Sequence, residues 1–168
     1  MPKPASASPR PSSSPSATGR PQQVFGLTVL SLRSVSSSER HVAVDGSYGD
    51  LEQVDSDSSR SARSNATFTV VAGLAKASCF SLRDENGRYL RHTEFRIRAH
   101  ADDGSELFDN DATFCRQAGS VPGAVMLESH NFPGYYLHAR GGELWIDKLQ
   151  DSAAFRRECS FVPVAALD

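Results

Sequence analysis

The chain has 168 residues and a formal net charge of −2, with Lys/Arg and Asp/Glu interspersed along it. A chain of this length suits one domain, which buries roughly 68–70% of the surface that its unfolded form exposes, so no metal is needed to complete a core. The charge balance argues against nucleic acid or a membrane surface as a partner, and no apolar run is long enough to span a bilayer. We therefore expect no nucleic-acid partner, no membrane partner and no cofactor.

The N-terminal 23 residues consist almost wholly of Pro, Ser, Ala and basic residues. Such a stretch buries too little apolar area to offset its ordering entropy, so we predict a disordered tail or linker over residues 1–24. It lacks the apolar segment of a secretory signal. Two explanations stay open: the chain is cut from a larger secreted protein, or its gene start is wrongly placed.

Three related units follow the tail, over about residues 25–74, 75–121 and 122–165. Short apolar runs predict four strands in the first unit, at 29–32, 41–44, 51–54 and 67–71. The central unit repeats them at 79–82, 89–90, 95–97 and 112–114, and the third at 125–127, 136–137, 144–146 and 160–162. A ring-bearing residue on the second strand and a Phe on the fourth recur in all three units at intervals of 46 to 48 residues: His41, Tyr89 and Tyr136, then Phe68, Phe114 and Phe161.

A unit of four short strands cannot bury its own apolar face, so three such units are expected to close on one another. A propeller blade also has four strands, but propellers usually have four or more blades. No helical run of about ten residues with apolar positions at i, i+3 and i+4 is visible. The sequence therefore predicts an all-β fold, a β-trefoil of three four-stranded repeats with pseudo-threefold symmetry. The recurring Tyr and Phe residues are expected in its core.

The three cysteines are an odd number. Cys79 lies on the first predicted strand of the central unit and Cys115 directly follows the last, and these strands pair antiparallel in a trefoil. Their Cα atoms then fall within the roughly 4.4–6.8 Å that a disulfide needs, so we predict a Cys79–Cys115 bridge and a free, core-facing Cys159. The alternative is three buried free thiols in a reducing compartment.

Three segments of the chain resemble a known family: CFSLRDENGRYLRHTEFRIR, DDGSELFDNDATFC and SHNFPGYYLHARGGELWID. They are similar to the arabinose-binding domain of α-L-arabinofuranosidase B, the family 42 carbohydrate-binding module. The resemblance covers roughly residues 25–165. It implies a secreted, non-catalytic β-trefoil that binds arabinofuranose side chains of arabinoxylan or arabinan. The implied partners are that polysaccharide and a glycoside hydrolase domain in a longer protein, and the module itself is expected to be a monomer.

The resemblance also implies a sugar pocket in each unit, formed by a His after the YLR strand and an acidic residue before the ATF strand. The central unit has both, as His92 and Asp111, with Phe95 and Glu94 nearby. A carboxylate accepts hydrogen bonds from two adjacent hydroxyls, and an aromatic ring covers the C–H face of a sugar. Phe95 is ambiguous, because its alternation with Ile97 also fits a core strand.

The other two units depart from this pattern. The third has Ala139 and Glu158 at the two positions, with His138 alternating to the opposite side of its strand, and the first has Val44 and Asn65. We therefore predict one competent pocket in the central unit, a weaker one in the third with Glu158 and Tyr136, and none in the first. Trp145 is predicted to be a half-buried packing residue rather than a sugar platform.

The acidic clusters 102–105 and 55–57 are interpreted as turns, because they lack the remaining ligand spacing of calcium loops. Glycoside hydrolysis needs two carboxylates facing one bond, and each unit offers at most one candidate. We therefore expect no catalysis from this chain alone, although the family is associated with α-L-arabinofuranosidase activity. Two other functions stay open: a protein-interaction trefoil, and a decayed module that serves as a spacer.

Overall fold

The structure is a computed structural model that describes residues 25–168. The tail predicted over residues 1–24 lies outside the described residues. Within the described range, no helix has the length and apolar character needed to cross a membrane.

The described chain forms twelve strands and three helices of six residues each, in the same order three times. The first unit contains β1 (Val29–Ser34), β2 (Arg40–Asp45), β3 (Tyr48–Gln53), α1 (Arg60–Asn65) and β4 (Phe68–Ala72). The central unit contains β5 (Phe80–Arg83), β6 (Tyr89–Thr93), β7 (Arg96–His100), α2 (Glu106–Asp111) and β8 (Phe114–Ala118). The third unit contains β9 (Val125–Ser129), β10 (Tyr135–Arg140), β11 (Glu143–Lys148), α3 (Ala153–Glu158) and β12 (Phe161–Ala165).

All twelve strands belong to one antiparallel sheet, which confirms the predicted all-β class. Six of them close into a ring, in which β1 pairs with β4 and β12, β5 with β4 and β8, and β9 with β8 and β12. The other six form the hairpins β2–β3, β6–β7 and β10–β11. These hairpins meet through single pairs between β3, β7 and β11, so each hairpin touches both others.

The core lies where the inward faces of these strands meet. Phe68, Phe114 and Phe161 are all buried there, as predicted. Tyr89 and Tyr136 are only half-buried, so their placement in the core was wrong. Side chains alternate along a strand, and it is the next residue of β6 and of β10 that points inward, which leaves each Tyr on the outer face.

The three helices were not predicted, because their segments look like polar loops and are too short for an apolar period. Each begins after a serine whose Oγ accepts a hydrogen bond from the backbone N–H three residues later: Ser59 from Ala62, Ser105 from Phe108 and Ser152 from Phe155. Such N-caps stabilise the first turn. In each unit the last residue of the helix lies beside the preceding hairpin: Asn65, Asp111 and Glu158.

Arg96 joins the three hairpins where they meet. Its guanidinium donates hydrogen bonds to the Gly49 carbonyl of the first unit, to the Leu144 carbonyl of the third (2.9 Å) and to the Asp50 carboxylate (2.7 Å). The guanidinium also lies 5.6 Å from the ring of Trp145, whose other neighbour is Arg140 at 4.1 Å. Trp145 is half-buried on the outer face of β11.

A disulfide joins Cys79 and Cys115, with a Cα–Cα distance of 4.6 Å, as predicted. Cys79 precedes β5 and Cys115 lies within β8, so the bridge fixes the first strand of the central unit to its last. Cys159 is free and buried, and burial, with the charges of Asp147 and Glu158, raises the pKa of its thiol to about 12.

The two acidic clusters form turns. The Gly104 N–H donates to Asp102 Oδ1 and the Asp57 N–H donates to Asp55 Oδ1, both at 2.8 Å. Within residues 25–168, no group of three or more His, Cys, Asp and Glu side chains is placed to hold a metal ion.

Candidate functional site

The structure brings His92 and Asp111 together. His92 lies on β6 and Asp111 is the last residue of α2, and His92 Nε2 lies 3.6 Å from Asp111 Oδ1. The two residues are only 4% and 5% exposed. The central motif therefore forms one buried polar group rather than two independent surface residues.

Asn131 bridges the pair from the third unit. Its Nδ2 donates to Asp111 Oδ1 at 2.9 Å, and its Oδ1 accepts from His92 Nε2 at 2.8 Å. Ser129 Oγ donates to the same amide oxygen at 3.1 Å. Since Asn131 Oδ1 is an acceptor, the His92 proton lies on Nε2. The sequence did not predict this role of Asn131, because nothing in the central motif points to a residue 39 positions away.

Arg91 holds the other oxygen of the carboxylate. Its Nη2 donates to Asp111 Oδ2 at 2.5 Å, and its guanidinium lies 4.9 Å from the centroid of the Phe108 ring. Arg91 Nε is buried with no hydrogen-bond partner in the structure. Asp111 therefore accepts a hydrogen bond within an ion pair. The sequence pattern had not indicated that Arg91 is its partner.

We call the site around His92 and Asp111, which the Asn131 side chain fills, the central cleft. Aromatic rings lie beside it. Phe95 is 41% exposed and stacks on Tyr135, with centroids 5.7 Å apart and planes at 27°. Phe132 contacts both His92 and Phe95 edge to face, at 5.1 and 5.4 Å. Phe95 is not in a strand as predicted: it and Glu94 form the two-residue turn between β6 and β7, and Glu94 is exposed at its tip.

The third unit repeats this arrangement with other residues. The hairpin pairs Thr93↔Arg96 and Arg140↔Glu143 make His138 the counterpart of Arg91 and Ala139 that of His92. His138 Nε2 lies 2.9 Å from Glu158 Oε1, and its ring stacks on Phe155 at 4.2 Å.

His138 lies on the opposite face of β10 from Ala139, as the alternation predicted, but it contacts Glu158 from there. The C-terminal residue of each helix approaches the outer face of the hairpin, where His138 lies, and not only the inner face. His138 Nδ1 also bonds Asp147 Oδ2 at 2.6 Å. Burial of Asp147 opposes its ionisation, but hydrogen bonds from Arg140 and His138 outweigh burial, so the pKa of Asp147 lies below its ordinary value.

An open cavity of about 390 Å³ lies next to Glu158. It is lined by residues from the third and first units: Ser36, Ser37, Arg40, Leu51, Ala139, Gly141, Gly142 and Glu158. The pairs Ser34↔Phe161 and Ser129↔Phe114 make Ser36 and Ser37 the counterparts of Asn131 and Phe132. This cavity, called the third cavity because it belongs to the third unit, corresponds to the central cleft. Small residues stand here where larger side chains fill the central cleft. Tyr136 does not line it.

The first unit lacks the charged pair altogether. Ala43, Ala62 and Asn65 stand where the central unit has Arg91, Phe108 and Asp111. A smaller cavity of about 170 Å³ lies between these residues. The side chains that fill this space in the other two units are absent here.

The fold and these clefts define a class of protein in which three similar units present pockets between neighbours. Solved structures with the same fold at low sequence identity include a chain described as SeviL bound to asialo-GM1 saccharide, with a TM-score of 0.60 at 10% identity, which establishes fold alone. Residues 30–163 match the model of the alpha-L-arabinofuranosidase B (ABFB) domain, and the chain belongs to that family.

Relatives at higher identity are arabinofuranosidases. An alpha-L-arabinofuranosidase of Hypocrea jecorina is 36% identical over a match that covers 86% of this chain and 31% of the relative. A GH54 α-L-arabinofuranosidase structure has a TM-score of 0.79 at 32% identity, covering 92% of this chain and 33% of that one. A structure of an arabinofuranosidase complexed with arabinofuranosyl-α-1,2-xylobiose has a TM-score of 0.77 at 33% identity, covering 83% of this chain and 31% of that one. The chain therefore spans about a third of the length of these relatives.

Proposed function

We propose that residues 25–168 form a β-trefoil carbohydrate-binding module for arabinofuranose side chains of arabinoxylan or arabinan. The ring of six strands and the three meeting hairpins support the trefoil assignment. The module is non-catalytic and serves a glycoside hydrolase domain of the α-L-arabinofuranosidase type in a longer protein. An extracellular location fits the disulfide, because such bonds persist in oxidising compartments.

The observation that carries this proposal is the juxtaposition of His92 and Asp111 in a member of this family. Two adjacent sugar hydroxyls match this pair, since one oxygen accepts from His92 Nε2 while the other hydroxyl donates to Asp111. The Arg91 guanidinium holds the Asp111 carboxylate in place, and charge-assisted hydrogen bonds are roughly twice as strong as neutral ones. Phe95 supplies an aromatic wall at the opening.

The Asn131 amide already makes the hydrogen bonds that such a diol would make, with one acceptor toward His92 and one donor toward Asp111. A furanose therefore binds the central cleft by replacing the Asn131 side chain, which belongs to the loop between β9 and β10. The buried polar groups stay paired in both states, which avoids the cost of leaving them unsatisfied.

The third cavity is the second sugar site in this proposal. Its volume of about 390 Å³ lies within the range of small-molecule pockets, and the Glu158 side chain is 43% exposed. It has Ala139 in place of His92 and Gly142 in place of Phe95, so the inner imidazole and the aromatic wall of the central cleft have no counterpart there. We therefore expect weaker binding there than in the central cleft.

Affinity electrophoresis in gels containing arabinoxylan, with debranched xylan as the reference gel, tests the proposal. The native protein is expected to be retarded only by arabinoxylan. D111N is expected to lose most of the retardation and E158Q a smaller part, while D151N, which removes an exposed carboxylate elsewhere, changes nothing. Thermal unfolding of each variant verifies the fold.

Equal retardation in both gels, or full retardation of a folded D111N, contradicts the assignment of the pocket. No retardation of the native protein in either gel favours a protein-interaction trefoil or a spacer module instead.

A further inference from the structure

A further cavity, of about 270 Å³, lies beside Phe95 and is called the hollow below. Phe95, Tyr135, Trp145 and Ile146 form its apolar lining, and Glu94, Arg140 and Asp147 add polar groups. Phe95 stacks on Tyr135, which also lines the hollow, and it contacts Phe132 beside His92. Phe95 therefore joins the hollow to the central cleft.

The turn that carries Phe95 has an unfavourable backbone. Glu94 and Phe95 have φ values of 51° and 69°, and they are the two non-glycine residues with positive φ in the described part of the chain. The corresponding turn of the first unit uses Gly46, and that of the third uses Gly141 and Gly142. Strained non-glycine residues of this kind cluster at functional sites, so the exposed ring of Phe95 calls for a functional explanation.

The polar groups beside the hollow are held in place. The Arg140 guanidinium lies 4.1 Å from the centroid of the Trp145 ring and donates to Asp147 Oδ1 at 2.5 Å. Trp145 Nε1 donates to Glu143 Oε1 at 3.1 Å. The indole is therefore oriented before any ligand arrives, which lowers the entropic cost of binding.

We propose that this hollow binds the sugar to which the arabinofuranose is attached, a pyranose of a xylan main chain. The inference rests on the proposed function, because it needs the furanose in the central cleft. The C–H face of the pyranose lies against the exposed ring of Phe95 and meets the edge of the Trp145 indole, whose faces Arg96 and Arg140 cover. Its free hydroxyls hydrogen-bond Glu94, Arg140 and Asp147. The module then recognises a branch point and not only an isolated arabinose.

Isothermal titration calorimetry with three ligands tests this: methyl α-L-arabinofuranoside, arabinofuranosyl-α-1,2-xylobiose and xylobiose. The native protein is expected to bind the trisaccharide about 3- to 10-fold more tightly than the methyl glycoside, which is the range that one aromatic contact provides. W145T is expected to bind the trisaccharide no more tightly than the methyl glycoside, with its affinity for the methyl glycoside unchanged. R140S, on the exposed edge of the hollow, is expected to lose part of the difference if W145T does not fold.

Equal affinity of the native protein for the trisaccharide and the methyl glycoside overturns the inference and leaves the proposed function standing. A folded W145T that keeps the native preference also overturns it. If neither arabinofuranoside binds the native protein, the proposed function fails and the inference fails with it.

Discussion

The central and third units have the same order of strands and helix but different side chains in their clefts. Each has a nitrogen-bearing side chain on the outer face of its hairpin, a carboxylate at the end of its helix and an aromatic ring packed on the nitrogen-bearing group: Arg91, Asp111 and Phe108, and then His138, Glu158 and Phe155. The cleft above is filled in the central unit and open in the third. The shared contacts support the scaffold in both units, whereas the proposed function assigns ligand choice to the residues that fill the cleft or leave it open.

The largest expected effect is a difference in stability between variants that lose Arg91 and variants that lose His138. Arg91→Ala leaves the buried Asp111 with Asn131 but no cation, and we expect the free energy of unfolding to fall by about 3 kcal/mol. His138→Ala removes the equivalent partner from Asp147 and Glu158, whose side chains are 22% and 43% exposed, so water compensates and the expected loss is about 1 kcal/mol. Urea unfolding at pH 7 measures both, and equal losses would break the comparison.

A second prediction exchanges the strained central turn for a favourable one. Glu94→Asn combined with Phe95→Gly gives the residues that a two-residue turn with positive φ prefers, as glycines do in the third unit. We expect the free energy of unfolding to rise by about 1–2 kcal/mol, since left-handed backbone costs about that much per residue. Retardation in arabinoxylan gels should fall at the same time.

Phe95→Ala is the control for that exchange. It removes the ring but keeps a side chain with positive φ, so it should weaken binding without stabilising the protein. A stabilised double variant that still binds like the native protein would show that the turn has no role in recognition.

The smallest effect concerns the first unit, where His41 occupies the position of Tyr89 and Tyr136. His41 is buried with an unpartnered Nδ1, and burial, followed by the charge of Arg33, lowers the pKa of its imidazole below 6.5. The unfolded chain therefore takes up the proton first as pH falls, so the contribution of His41 to stability is present above pH 6.5 and is lost as pH falls through the lowered pKa. Denaturant unfolding between pH 7.5 and 5.5 should show this loss.

His41→Tyr should reduce that slope. Some slope should persist, because burial and three nearby arginines also lower the pKa of His100. An unchanged slope in the folded variant would assign the pH dependence to groups other than His41.

The sequence predicted the threefold recurrence and the all-β class, because strand alternation and turn residues are local signals. It also predicted the side-by-side position of His92 and Asp111, through the family motif. It did not predict the six-residue helices, which are stabilised by serine caps and by packing rather than by an apolar period. The role of Asn131 and the contact between His138 and Glu158 were missed for one reason: both depend on how elements distant in the chain approach each other.

The cavity beside Glu158 is lined by residues between 36 and 51 on one side and between 139 and 158 on the other, so its two walls come from opposite ends of the folded chain. A ligand that contacts both walls links the first unit to the third. Such a ligand should slow the detachment of β12 from β1, and hydrogen exchange of the β12 amides would report that protection directly.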